Sequence, residues 1–90
     1  MALLVLRHKV KDFANWKKAY DAHASARAAA GLTNGRVHRS ADDPSELVLL
    51  FDLADIAKAK TFCASPDLQA AMAGAGVVDK PDMYFLNSAS

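Results

Sequence analysis

Three histidines, one tryptophan, two tyrosines and one cysteine carry most of the chemistry open to this sequence at neutral pH. Imidazole titrates near ~6.5, so a histidine beside an organic ligand can take a proton from it with no metal present. His8 closes a run of β-forming residues, ALLVLRHKV from Ala2 to Val10, and His38 lies in a second such run, RVHR from Arg36 to Arg39. Trp16 and Tyr20 stand one helical turn apart, which puts an indole and a phenol on one helix face. Two imidazoles, an indole and a phenol around an apolar recess could hold an aromatic ligand. Such a recess suits cofactor-free oxygenation, in which a base makes an electron-rich substrate anion that reacts directly with oxygen. On this reading His8 is the candidate catalytic proton acceptor, His38 is a second ligand-binding contact, and Trp16, Tyr20 and Phe51 are the apolar walls.

Each of these residues also has a purely structural reading. A histidine at a strand end often serves only as a hydrogen-bonded core group, and Trp16 and Tyr20 at helical spacing are ordinary core residues. His23 and Arg27 are expected on a solvated helix edge. Tyr84 suits a subunit contact as well as a pocket.

Other catalytic patterns are missing from the sequence. The glycines at 31, 35, 74 and 76 fall at expected helix ends and turns, so there is no phosphate-cradling loop. Scattered histidines and a single cysteine make no metal-ligand set, and neither metal nor cofactor is expected. Cys63, between Phe62 and Ala64, reads as a small buried side chain, and Asp42 and Asp43 beside Pro44 read as turn residues. Lys and Arg number 11 against 10 Asp and Glu and are dispersed, which argues against a nucleic-acid partner. The apolar run Ala2 to Leu6 is too short for a secretory core or a membrane span, so a cytoplasmic chain is expected.

The elements that must position these groups follow from hydrophobic period. In the first strand Leu4, Leu6, His8 and Val10 alternate with Leu3, Val5, Arg7 and Lys9, and the first set belongs under the helices. Asp12 caps a helix expected over Phe13 to Ala30, with the stripe Phe13, Trp16, Tyr20 and Ala24, until Gly31 stops it. Asn34 and Gly35 supply positive-φ tolerance before strand two. The stretch RVHRSADDPSELVLLFDL, Arg36 to Leu53, is a hairpin whose second strand is apolar on both faces: Leu47, Leu49, Phe51 and Leu53 point one way, Val48 and Leu50 the other. An even loop pairs Arg39 with Val48 and His38 with Leu49, which sends His38 toward the helices; an odd loop reverses this. Asp55 caps a second helical segment, Ser65 with Pro66 restarts it past Ala64, and Gly74 and Gly76 end it. Met83 to Leu86 form a short last strand.

The order β, α, β, β, α, β predicts an α+β fold, a ferredoxin-like βαββαβ sandwich occupying residues 1–90 as one domain, with both helical segments on one face of an antiparallel sheet. The other face keeps apolar side chains worth about 1.5 to 3 kcal/mol each on burial, so a homodimer through the sheet faces is expected.

The opening LRHKVKDFANWKKAYDAH, the hairpin with DDPSELVLLFDL, and SPDLQAAMAGAGV followed by PDMYFL together resemble the dimeric α/β-barrel superfamily, with its antibiotic-biosynthesis-monooxygenase-like and stress-responsive members. That resemblance covers nearly the whole chain. It implies a homodimer whose two sheets face each other as a barrel, a pocket between sheet and helices in each subunit, and, for the monooxygenase members, chemistry without metal or flavin. The Asn, Trp and His set of haem-degrading relatives does not carry over, because His8 stands where the Asn is wanted and Trp16 lies on the first helix. The expected function is therefore a small homodimeric barrel binding a small aromatic or polycyclic ligand, as a cofactor-independent monooxygenase or cyclase-like enzyme. The alternative is a non-enzymatic ligand-binding or stress-responsive dimer with a filled core. A recess of several hundred Å³ touching His8 would favour the first, and a closed core the second.

Overall fold

The computed structural model describes residues 2–78 and 80–89. Its elements run β1 (Ala2–Lys9), α1 (Phe13–Ala22), α2 (Ala24–Ala29), β2 (Leu32–Arg39), β3 (Glu46–Leu53), α3 (Ile56–Cys63), α4 (Pro66–Gly74) and β4 (Asp82–Asn87). The four strands form one sheet in the order β2-β3-β1-β4, every neighbouring pair antiparallel. This is the expected ferredoxin-like α+β sandwich, with each helical segment divided in two.

Local chemistry accounts for most of the boundaries. The carboxylate of Asp12 accepts from Ala14 N at 3.0 Å to start α1, Asp55 accepts from Lys58 N at 3.2 Å for α3, and the Ser65 hydroxyl accepts from Leu68 N at 3.2 Å for α4. Pro66 follows that cap in the first turn, where its missing N–H costs nothing. Gly31, at φ 82°, turns the chain out of α2 in a conformation other residues resist.

The long first helix is broken at His23, although nothing in the alanine-rich sequence interrupts helix propensity there. The carbonyl of Tyr20 would pair with Ala24 in a continuous helix; it accepts instead from His23 N at 3.2 Å and from Arg27 Nη1 at 2.6 Å. An arginine side chain thus takes over a backbone bond where α1 ends and α2 begins.

In β3 the outward and inward sets separate cleanly. Leu47, Leu49, Phe51 and Leu53 are at most 4% exposed, whereas Val48 and Leu50 are only half-buried. The buried set meets Leu4 of β1, Leu32 of β2, Trp16 of α1 and Ala59 and Cys63 of α3 in one core. Sequence position fixes this, because strand side chains alternate and only one face lies under the helices.

The hairpin register differs from the even-loop expectation. Ser40 N donates to Glu46 O at 2.8 Å, which leaves residues 41–45, an odd number, in the loop. Arg39 then pairs with Leu47, His38 with Val48 and Val37 with Leu49. The loop is held by its own side chains: the Ser40 hydroxyl accepts from Asp42 N and Asp43 N, and the Asp43 carboxylate accepts from Ser45 N at 3.0 Å and from the Ser45 hydroxyl at 2.6 Å. Those Ser45 bonds hold the Asp43 carboxyl below its ordinary pKa. Asn34 and Gly35, expected ahead of the strand, lie inside β2 at an irregularity between Thr33 and Arg36, where Asn34 takes φ 52°.

The face away from the helices carries Leu3 and Val5 of β1, Val48 and Leu50 of β3, and Tyr84 and Leu86 of β4. Tyr84 and Leu86 are 54% and 43% exposed. Ion pairs border this patch, Arg7 with Glu46 at 2.7 Å and with Asp82 at 2.9 Å, and Arg36 with Asp52 at 3.0 Å. Among the described residues no helix is long and apolar enough to cross a membrane.

Replacing Leu49 by Ala removes a central core side chain and should lower the unfolding free energy by about 2 to 5 kcal/mol in urea titrations, while Val78→Ala at an exposed site should change it by no more than about 0.5 kcal/mol. Cys63 supplies a pH signature. Burial pushes its thiol pKa up, so the folded state holds the proton that the unfolded chain releases above its own value near ~8.5. The thiol therefore stabilises below that pH and loses its contribution as pH rises through the folded pKa. Urea titrations at neutral and alkaline pH should show the wild type losing stability relative to Cys63→Ala as pH increases.

Candidate functional site

Between the helices and the sheet lies a recess of about 80 Å³. Its floor is the inward set of the sheet, Leu4, Leu6 and His8 from β1 with Leu49 and Phe51 from β3. Strand alternation puts His8 in this row, opposite Leu47, and the ring is only 2% exposed. The roof is α1, whose stripe presents Trp16 and Tyr20.

These aromatic groups form a chain of contacts. The His8 ring meets Trp16 edge-on, centroids 5.8 Å apart at 74°; Trp16 stacks on Tyr20 at 4.9 Å and 22°; Tyr20 lies 6.3 Å from Phe51. Offset stacks and edge-to-face pairs of this kind add about 0.5 to 1.5 kcal/mol each beyond simple burial, so the walls are held in place. Gly35 makes room for them. A Cβ at that position would fall 2.5 Å from the Tyr20 hydroxyl and 3.0 Å from a ring carbon of Phe51, so the irregularity in β2 delivers a bare backbone where the phenol needs to pass.

Four of the five expected site residues, His8, Trp16, Tyr20 and Phe51, line this one recess. His38 does not. The odd loop turns it to the opposite face, exposed and paired with Val48, outside the recess.

Two polar residues assigned to a solvated helix edge instead line the recess: His23 and Arg27. The Arg27 guanidinium lies 3.7 Å from the centroid of the Tyr20 ring and 6.0 Å from that of Phe51, a cation over aromatic faces. Burial lowers its pKa, partly offset by attraction to Tyr20 and Asp21, and a guanidinium remains charged regardless. The sequence did carry the signal: Trp16, Tyr20, His23 and Arg27 recur at intervals of four, three and four, a single helical face. Cys63 also reaches the recess, as a thiol that burial keeps protonated.

Chemically, the recess is an apolar slot with a buried imidazole at one end and a cation at the other. No carboxylate among the described residues lines it. Among the described residues no group of three or more His, Cys, Asp or Glu is placed to hold a metal ion. Walls of this kind accommodate flat apolar rings, and an imidazole is a group able to exchange a proton near neutral pH.

The sequence matches no protein-family model and no curated protein. The likenesses are structural. A solved antibiotic biosynthesis monooxygenase superposes with a TM-score of 0.73 over 100% of both chains at 13% identity. A Bordetella bronchiseptica protein described as a candidate antibiotic biosynthesis monooxygenase gives a TM-score of 0.80 at 17% identity, covering 99% of this chain and 97% of that one. SnoaB, a cofactor-independent oxygenase from Streptomyces nogalater, gives 0.71 at 15% identity over 97% of this chain and 93% of its own. The fold of this chain is thus that of the solved antibiotic biosynthesis monooxygenases.

Proposed function

We propose that the protein is a homodimeric, cofactor-independent oxygenase acting on a small phenolic ring bound in the recess of each subunit. The observation that carries this reading is the placement of His8, a buried imidazole at the end of an aromatic slot with Trp16, Tyr20 and Phe51 as walls. The likeness to SnoaB supports the reaction class, since that protein is described as a cofactor-independent oxygenase. In the reaction His8 takes the phenolic proton and the ring anion passes one electron to O2. The resulting phenoxyl radical and superoxide join at a ring carbon as a new C–O bond, and His8 returns its proton to the peroxide. Loss of the ring proton and cleavage of the O–O bond then release water, so one phenol and one O2 give one quinone and one water. The dry walls exclude solvent from the anion while it reacts. A reducing cytoplasm suits the single free thiol, Cys63.

Recess size narrows the substrate. About 80 Å³ is well below the ~300 to 1,000 Å³ of pockets for drug-sized ligands, so a single ring replaces the polycycle expected from the sequence. The same small volume favours a second reading, a non-enzymatic dimer whose recess is filled by its own side chains.

Oxygen consumption with resorcinol separates the two. The oxygenase reading expects catalysed uptake that His8→Gln lowers by about 100-fold or more, the usual worth of a positioned general base, with native circular dichroism retained. Uptake no faster than in buffer, or unchanged in His8→Gln, would remove the enzymatic reading.

Assembly is part of the same proposal. The apolar patch of Leu3, Val5, Val48, Leu50, Tyr84 and Leu86 is matched to a second copy of itself, its ionic border supplying both signs of charge. Sedimentation should show a species of twice the 9.6 kDa chain mass at micromolar concentration, and Val5→Asp, which sets a carboxylate at the centre of the patch, should shift it to monomer. A wild type that sediments as a single subunit would exclude the dimer.

A further inference from the structure

The site described so far uses the imidazole end of the recess and leaves the cationic end unexplained. Arg27 sits there with its charge only partly served. Its Nη1 donates to the Tyr20 carbonyl at 2.6 Å, and its plane covers the Tyr20 ring. The nearest carboxylate in sequence, Asp21, is taken by Lys17, whose Nζ reaches both its oxygens at 2.7 and 2.9 Å. Among the described residues no carboxylate lines the recess, so the only anion drawing on the guanidinium is the more distant Asp21 outside it. A half-buried cation stacked on the wall of an apolar slot attracts an anion, and a planar guanidinium is suited to a carboxylate in particular.

We infer that the ring bound in the recess carries a carboxylate, held by Arg27, with the ionising hydroxyl on the opposite side of the ring facing His8. This rests on the oxygenase reading above and names the class of its substrate as para-hydroxylated aryl carboxylates.

Geometry supports the opposite placement. Leu4 pairs with Phe51, over which Arg27 lies, and His8 pairs with Leu47 four residues further along β1. Those two strand positions are about 13 Å apart at ~3.3 Å per residue, and the side chains above them follow in contact in the order His8, Trp16, Tyr20 and Arg27. Of the hydroxylated benzoates the para isomer holds its hydroxyl farthest from its carboxylate, so it is the isomer that offers hydrogen-bonding oxygens to opposite ends of the slot. An ortho hydroxyl would lie beside the carboxylate, at the Arg27 end of the ring.

The probes are β-resorcylate, whose carboxylate has a para hydroxyl; β-resorcylamide, its neutral analogue; γ-resorcylate, whose hydroxyls are both ortho to the carboxylate; and resorcinol. Trp16 is the only tryptophan and forms a wall of the recess, so its fluorescence reports binding directly. β-Resorcylate should bind about tenfold or more tightly than either the amide or γ-resorcylate, as charge-assisted recognition implies. Arg27→Met, which keeps the apolar stem, should erase the preference for acid over amide, and Arg27→Lys should restore part of it. Equal binding of acid and amide by the wild type, or a preference surviving in folded Arg27→Met, overturns the inference. If Arg27→Met does not fold, the acid, amide and isomer comparison in the wild type decides. Resorcinol turnover without acid preference defeats this inference alone; acid preference without oxygen uptake defeats the oxygenase reading alone; no fluorescence change with any probe defeats both.

Discussion

The structure depends on one constraint: a strand sends successive side chains to opposite faces, and this sheet has helices on only one of them. Strand β3 is apolar on both faces, so its inward row of Leu47, Leu49, Phe51 and Leu53 seals the core while Val48 and Leu50 emerge on the far side. The same rule acts on β1, where Leu4, Leu6 and His8 face the helices and Leu3, Val5 and Arg7 do not. A histidine in that inward row lies under Trp16 by register alone. Site and exposed patch are therefore two outcomes of one alternation, built back to back on the same strands.

Where the physics was local, the sequence could be read. Asp12, Asp55 and Ser65 cap helices because a short acceptor side chain precedes each apolar stripe, and Gly31 ends a helix because it alone tolerates the turn. The inward face of β3 was equally plain, since its alternation needs no partner to be seen. The face of His38 stayed open in the sequence because it depends on a loop whose length parity is decided by Ser40, Asp43 and Ser45 bonding among themselves. Propensity carries no information about that choice. The break at His23 was hidden for a similar reason: it depends on Arg27 bonding the Tyr20 carbonyl, a contact between a side chain and a backbone group one helix earlier.

That break has a second effect. The same arginine that bonds the Tyr20 carbonyl at the break lays its guanidinium over the Tyr20 ring, 3.7 Å from the centroid. The bond that ends the helix is also the one that fixes the cation at the edge of the recess. Structural and functional readings of Arg27 are thus not alternatives. One nitrogen serves the backbone while the face of the group serves the slot.

Tyr20 is where these devices meet. It is stacked by Trp16 on one side and covered by Arg27, and its hydroxyl passes over Gly35 at the irregularity in β2. Each constraint comes from a different element, α1, α2 and the sheet edge, so the phenol is fixed only when all three are assembled. A side chain larger than glycine at position 35 would push the hydroxyl inward, into a recess with only about 80 Å³ to spare. The irregularity that displaces β2 by one residue thus does two things at once. It brings Leu32 and Val37 to the same inward face on either side of it, and it leaves a gap in the wall where the ring that shapes the site can lie.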